Sequence, residues 1–146
     1  MLTIKLLFIC TGNTCRSPMA EGLAKKILGP GFDVGSAGMG AWEGQPVSEH
    51  ALNVMKARGI DISAHCARQV SPGLLEEADW IIPMTKEQEA RLTMLYPKYA
   101  DKMRRLGAWG SADRNIVDPY GGSLQTYELC ADEIEKLIHE LKMKIK

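Results

Sequence analysis

The amino-terminal segment constrains this chain more than any other. Ile4 to Ile9 (Ile-Lys-Leu-Leu-Phe-Ile) is an almost unbroken apolar run, the pattern of a strand covered on both faces. It passes directly into Cys10-Thr11-Gly12-Asn13-Thr14-Cys15-Arg16-Ser17-Pro18. Gly12 and Asn13 are residue types that tolerate positive φ, so a tight turn is allowed there. Pro18 suits the first position of a helix, Met19, Leu23 and Ile27 then recur at helical spacing, and Gly29-Pro30 ends the run. A doubly covered strand that turns sharply into a helix is the opening unit of a parallel α/β sheet. In such sheets ligands bind beyond the carboxyl ends of the strands. Cys10 stands at that end.

The rest of the chain continues the alternation. Phe32 to Ser36 reads as a second strand ending at Ala37-Gly38. Ser48 is a candidate N-cap for a helix carrying Ala51, Leu52 and Met55 and closed by Gly59. Leu74 and Leu75 suggest a short helix, and Trp80 to Pro83 a third strand. Thr85, with Gln88 three residues on, has the form of a capping box. A fourth strand is expected around Arg105 to Ala108. Tyr127, Cys130, Ile134, Leu137, Ile138, Leu141 and Ile145 make one apolar stripe along a final helix. The expected architecture is therefore a three-layer α/β fold, a four-stranded parallel sheet with helices on both faces. No repeat, low-complexity stretch or charge block interrupts residues 1–146, so one domain is expected.

Composition narrows the function. Lys+Arg number 18 against 18 Asp+Glu, a balance that argues against a general nucleic-acid or membrane-surface binder. No apolar run approaches the ~20 residues of a membrane span. The apolar start is short and lacks a secretory cleavage site, so a cytoplasmic location is expected, and a monomer is the default for a small domain. With four cysteines (Cys10, Cys15, Cys66, Cys130), two of them in one turn, the cysteine pattern points to chemistry before scaffold. The Cys10/Cys15 spacing lacks a second Cys/His pair, so neither a metal nor a cofactor is expected. Cys130 falls on the apolar stripe and Cys66 is expected to pack; His50 and His139 are expected to be solvated helix residues.

The loop itself has the parts of an oxyanion cradle. A curled backbone at Gly12-Asn13 turns successive N–H groups inward. The helix start at Ser17-Pro18 adds its positive dipole end, and Arg16 supplies a planar fork for two phosphate oxygens. Such a field stabilises negative charge on phosphate and on the Cys10 sulfur alike, and Ser17 is placed to hydrogen-bond that sulfur. A sulfur beneath a bound phosphoryl group is set for in-line attack and a cysteinyl-phosphate intermediate. Cys15 lies close enough in sequence to close a disulfide with Cys10 if the loop curls, a reversible cap against over-oxidation.

Cys-Thr-Gly-Asn-Thr-Cys-Arg-Ser-Pro, together with Asp118-Pro119-Tyr120, Ser36-Ala37-Gly38 and His65-Cys66-Ala67-Arg68-Gln69, resembles the low-molecular-weight protein tyrosine phosphatase family over essentially the whole chain. The resemblance implies a phosphorylated protein as substrate, Cys10 as nucleophile, Arg16 as phosphate ligand and Asp118 as general acid. It makes Thr11, Gly12, Asn13, Thr14, Cys15, Arg16 and Ser17 the phosphate-binding loop, with Asn13, Ser17, Ser36 and His65 holding its shape. Pro119 biases Asp118 to an extended conformation, and Gly121-Gly122 lets the chain turn after it. Members acting on phosphotyrosine usually carry Ile where this chain has Thr14. Thr14 and the run Asp118 to Ser123 look like the bacterial protein arginine phosphatase branch, so phosphoarginine is the expected substrate and phosphotyrosine the alternative. Thr14, Trp42 and Tyr120 are the candidate selectors, with Met39 beside them. An arsenate reductase shares this loop but needs further cysteines, and Pro83 to Ala90 contains none. A non-catalytic phosphoprotein-binding module would have no need of Cys10, Arg16 and Asp118 together.

Overall fold

A computed structural model describes residues 3–111 and 113–145. β1 (Ile4–Cys10) lies at the centre of a parallel sheet, between β2 (Phe32–Gly38) and β3 (Trp80–Pro83). The registers run from Ile4↔Phe32 to Cys10↔Gly38 on one side and from Leu6↔Trp80 to Ile9↔Pro83 on the other. Successive side chains of a strand point to opposite faces. Leu6, Phe8 and Cys10 accordingly enter a core built with α1 (Arg16–Leu28), α2 (Glu49–Ala57) and α5 (Leu124–Lys144). Leu7 and Ile9 enter a second core, with Leu75 of α3 (Pro72–Glu77) and Leu92 of α4 (Lys86–Leu95). Both faces are covered, which is why the strand needed an unbroken apolar run. Each such side chain contributes roughly 1.5–3 kcal/mol on burial.

The expected fourth strand does not form. The described residues contain a three-stranded sheet, extended on the β3 side, where the fourth strand was expected, by one parallel bridge, Ile81↔Met103, and by the Arg104 N–H donated to the Ile81 carbonyl at 3.0 Å. Leu106–Trp109 then turns as a 3-10 helix. In that geometry residues three apart align on one side, so Leu106 and Trp109 are both buried, with Trp109 edge-on to Trp80 at 5.1 Å. Arg104 stacks over the Trp109 ring at 4.2 Å and donates to the Ala108 carbonyl, holding the turn closed. Arg105 is drawn away to Glu89 and Asp113. Cys66 is also corrected: it is exposed. Pro46 and Cys66 form an antiparallel bridge, and in that extended stretch Ala67 and the largely buried His65 turn inward, leaving Cys66 on the outer side. His139 is exposed, whereas His50 packs edge-on against Tyr127 at 5.3 Å.

Four helices carry side-chain caps, two of them, at Ser48 and Thr85, expected from the sequence. Ser48, Ser71 and Ser123 each accept a backbone N–H of the first turn, and Thr85 and Gln88 form the full capping box. Of the five α-helices among the described residues, α1 is the one with no side-chain cap, and it has no acidic residue in its first turn. Its orphan N–H groups and positive end therefore stay uncompensated, and they open onto the loop that follows Cys10.

Candidate active site

The loop between β1 and α1 is shaped by a left-handed residue and by contacts from distant parts of the chain. Asn13 is fully buried with φ 57°, the one positive φ outside glycine among the described residues. Its side-chain nitrogen donates to Ser17 Oγ at 2.8 Å and to Ser36 Oγ at 3.0 Å, and its side-chain oxygen accepts the Arg68 N–H at 2.9 Å. His65 Nε2 donates to the Asn13 carbonyl at 2.8 Å. Ser36 passes its own proton to Glu21 at 2.6 Å. Ser17 Oγ accepts from Asn13 and lies 2.9 Å from the Cys10 sulfur, within reach to donate its hydroxyl proton to a thiolate there. The loop backbone is clamped as well: the Cys10 and Thr11 carbonyls accept the Met39 and Gly40 N–H groups, both at 2.9 Å, and the Thr14 carbonyl accepts the Ser48 N–H at 3.0 Å. Gly38 permits this approach, since a Cβ there would stand 2.6 Å from the Thr11 carbonyl oxygen.

Arg16, only 5% exposed, projects from the first residue of α1. One terminal nitrogen donates to the Ile116 carbonyl at 2.8 Å, the other lies 3.6 Å from Asp118 Oδ2, and Nε is buried with no partner among the described residues. A buried charged donor left unpaired is costly, and this one belongs to the loop that follows Cys10. A donor of this kind is suited to an oxyanion. Asp118, about half exposed, faces Arg16 from the opposite wall, and its other oxygen accepts the Tyr120 N–H at 3.1 Å.

Two openings meet at Arg16 and Asp118. The smaller, about 260 Å3, is lined by Cys10, Thr14, Gln45 and Tyr120 as well. The larger, about 540 Å3, runs toward α4 past Met39, Glu87 and Arg91. The structure thus gathers Cys10, Thr14, Cys15, Arg16, Ser17, Asp118 and Tyr120, with Ser36 and His65 behind the loop. Trp42 is 81% exposed and lines neither opening; Gln45 stands at the mouth instead. Gln45 carried no signal in the sequence. Gln88 carried half of one: its oxygen completes the capping box, while its nitrogen donates to Thr11 Oγ1 at 3.2 Å and ties α4 to the loop.

The two loop cysteines are free thiols with different surroundings. The Cys15 sulfur lies 3.3 Å from the Tyr127 hydroxyl and 3.5 Å from Ser48 Oγ, against α5. Burial, reinforced by the hydrogen bond to Cys15, pushes the Tyr127 hydroxyl up to about 12. Burial likewise pushes the Cys130 thiol up to about 12, despite the nearby Arg16 charge, so Cys130 is an inert part of the core.

Comparison with known proteins agrees with this geometry. The family model described as low molecular weight phosphotyrosine protein phosphatase matches residues 5–146. A protein-arginine-phosphatase of Geobacillus stearothermophilus is 39% identical over 97% of this chain and 95% of its own length. The low molecular weight protein-tyrosine-phosphatase Wzb of Salmonella typhi is 39% identical over 90% of this chain and 87% of its own. Among solved structures, a YwlE arginine phosphatase variant with a phosphorylated serine in place of its active-site cysteine superposes with a TM-score of 0.93, at 32% identity, covering 97% of this chain and 95% of that one. A strand-end cysteine, a buried arginine with an open donor and a facing carboxylate, in a chain matched along its length, place this protein in the low molecular weight phosphotyrosine protein phosphatase family, as a protein phosphatase.

Proposed function

We propose that this phosphatase acts on phosphorylated arginine side chains of proteins, with Cys10, Arg16 and Asp118 as its catalytic residues. The supporting observation is the buried, unpartnered Nε of Arg16, in the same loop as a Cys10 sulfur that lies 2.9 Å from the Ser17 hydroxyl. Arg16 and the open amino end of α1 bind the phosphoryl oxygens. The Cys10 sulfur attacks phosphorus as the bond to the guanidino nitrogen breaks, and Asp118 donates a proton to that nitrogen. Water then attacks the cysteinyl phosphate, giving a proton to the Asp118 carboxylate as the sulfur–phosphorus bond breaks, which releases inorganic phosphate and the free sulfur. A guanidino nitrogen is a far more basic leaving atom than a phenolate oxygen, so this proton transfer carries more of the reaction.

Thr14 supports the choice of substrate. It lines the smaller opening beside Cys10, where its side chain is smaller than an isoleucine and brings a hydroxyl, leaving room and polarity for a guanidinium. The second reading, phosphotyrosine, is favoured by the exposed Tyr120 ring at the same mouth, a surface on which a phenyl group can stack. Discrimination by one packed side chain amounts to ~1–3 kcal/mol, or roughly tenfold and upward. The test is turnover of matched phosphoarginine and phosphotyrosine peptides by the wild type and Thr14→Ile. The wild type is expected to favour phosphoarginine and the variant to shift the ratio about tenfold toward phosphotyrosine; an unaltered ratio removes Thr14 from substrate selection.

A further inference from the structure

Gln45 lines the smaller opening together with Cys10, Thr14, Arg16, Asp118 and Tyr120, and its side-chain amide makes no hydrogen bond among the described residues. The backbone that carries it is fixed. Its N–H donates to the Trp42 carbonyl at 3.0 Å, its carbonyl accepts the Ala67 N–H at 2.8 Å, and Pro46 bridges to Cys66. The segment it pairs with contains His65 and Arg68, both of which hold Asn13. A few residues further on, the Ser48 N–H is bound to the Thr14 carbonyl. Gln45 therefore presents a free amide head from a stem tied to the same groups that shape the catalytic loop.

A phosphorylated guanidinium has N–H groups on the nitrogens that do not carry phosphorus. Once inside the opening each needs an acceptor, because a donor stripped of water and left unpaired weakens binding. The nearest acceptors on the wall already have partners of their own. One Asp118 oxygen takes the Tyr120 N–H and the other faces Arg16, and Thr14 Oγ1 lies 3.7 Å from the Cys15 sulfur. The Gln45 side-chain oxygen is uncommitted, and being neutral it does not repel the phosphoryl group as a carboxylate would. A phosphophenyl ring offers it no N–H. We infer that Gln45 is a specificity residue, its side-chain oxygen accepting an N–H from the guanidinium of the phosphorylated arginine; the inference rests on the phosphoarginine reading above.

The experiment compares kcat/KM on matched phosphoarginine and phosphotyrosine peptides for the wild type, Gln45→Met and Gln45→Glu. Gln45→Met keeps length and removes the acceptor. It is expected to lower kcat/KM on phosphoarginine about tenfold, the range for a hydrogen bond to a charged group, with less than a twofold change on phosphotyrosine. Gln45→Glu keeps an acceptor and adds a charge. It is expected to slow phosphotyrosine by repelling the phosphoryl group, while on phosphoarginine attraction to the guanidinium offsets that repulsion, so the phosphoarginine-to-phosphotyrosine ratio stays at or above that of the wild type. An unchanged ratio in Gln45→Met, an equal loss on both substrates, or a Gln45→Glu ratio that falls toward phosphotyrosine as far as that of Gln45→Met overturns the assignment. Failure of the underlying reading shows elsewhere: a wild type that turns over phosphotyrosine faster than phosphoarginine refutes it whatever the variants do.

Discussion

Replacing Asn13 by alanine removes more from the catalytic loop than any other exchange of one small side chain. The side chain supplies two donated bonds, to Ser17 and Ser36, and one acceptor for the Arg68 N–H. Loss of the acceptor leaves the Arg68 N–H without its partner, at a cost of about 1–3 kcal/mol where water cannot replace it. Alanine must also adopt the φ of 57° that Asn13 holds, which costs an L-residue about 1 kcal/mol more than asparagine. The expected destabilisation is the sum, about 2–4 kcal/mol, read as a shift of the urea midpoint at constant slope. Asn13→Gly loses the same hydrogen bonds without the left-handed penalty and is expected to unfold about 1 kcal/mol later than Asn13→Ala. The functional arm is a double-mutant cycle. If Asn13 acts on chemistry by orienting the Ser17 hydroxyl toward Cys10, Asn13→Ala lowers kcat strongly in the wild type and much less in Ser17→Ala. Equal factors in the two backgrounds refute the relay, and equal midpoints for the alanine and glycine variants refute the backbone argument.

Two other outcomes follow from the same site. Asp118→Ala is expected to slow turnover of a phosphorylated substrate at least tenfold, within the range for general acid catalysis, while substrate binding is retained; unchanged turnover would remove Asp118 from the mechanism. The proposed redox role of Cys15 requires its sulfur to leave Tyr127 and Ser48 before it reaches Cys10, so peroxide is expected to inactivate Tyr127→Phe faster than the wild type. In both of these proteins dithiothreitol restores activity and in Cys15→Ser it does not, and thiol-reversible inactivation of Cys15→Ser would refute the pairing.

What the sequence made legible is what is local. β1, the turn and α1 follow one another in the chain, so apolar run, Gly-Asn and Ser-Pro together disclose the cradle. The caps at Ser48 and Thr85 are legible for the same reason, each being a side chain bonded to backbone three residues away. The fourth strand failed because Leu106 and Trp109 find their burial through a turn against Trp80, a preference set by tertiary packing that a short apolar run does not reveal. Gln45 and the second bond of Gln88 were invisible because their significance lies in distant partners. The Gln88 bond to Thr11 spans 77 positions and the Arg16 bond to Ile116 spans 100. Cys66 was misread because residues 65–67 alternate as extended chain outside any apolar run.

The contacts of long sequence separation explain why a loop that looks complete in sequence cannot work as an isolated piece. Its positive features, an uncapped helix start and a buried arginine with an open donor, are unfavourable until an anion arrives. A free loop would relieve them by unwinding the first turn of α1 or swinging Arg16 into water. Each escape is blocked from elsewhere: the Ile116 carbonyl holds the guanidinium, Gly38 to Gly40 hold the backbone at Cys10 and Thr11, Ser48 holds Thr14, and His65 and Arg68 hold Asn13. The rest of the fold thus sustains an arrangement whose natural complement is a tetrahedral oxyanion, and the oxyanion meets fixed donors without waiting for them to reorganise. In the proposed mechanism, that preorganisation is how the distant braces act on the reaction at Cys10.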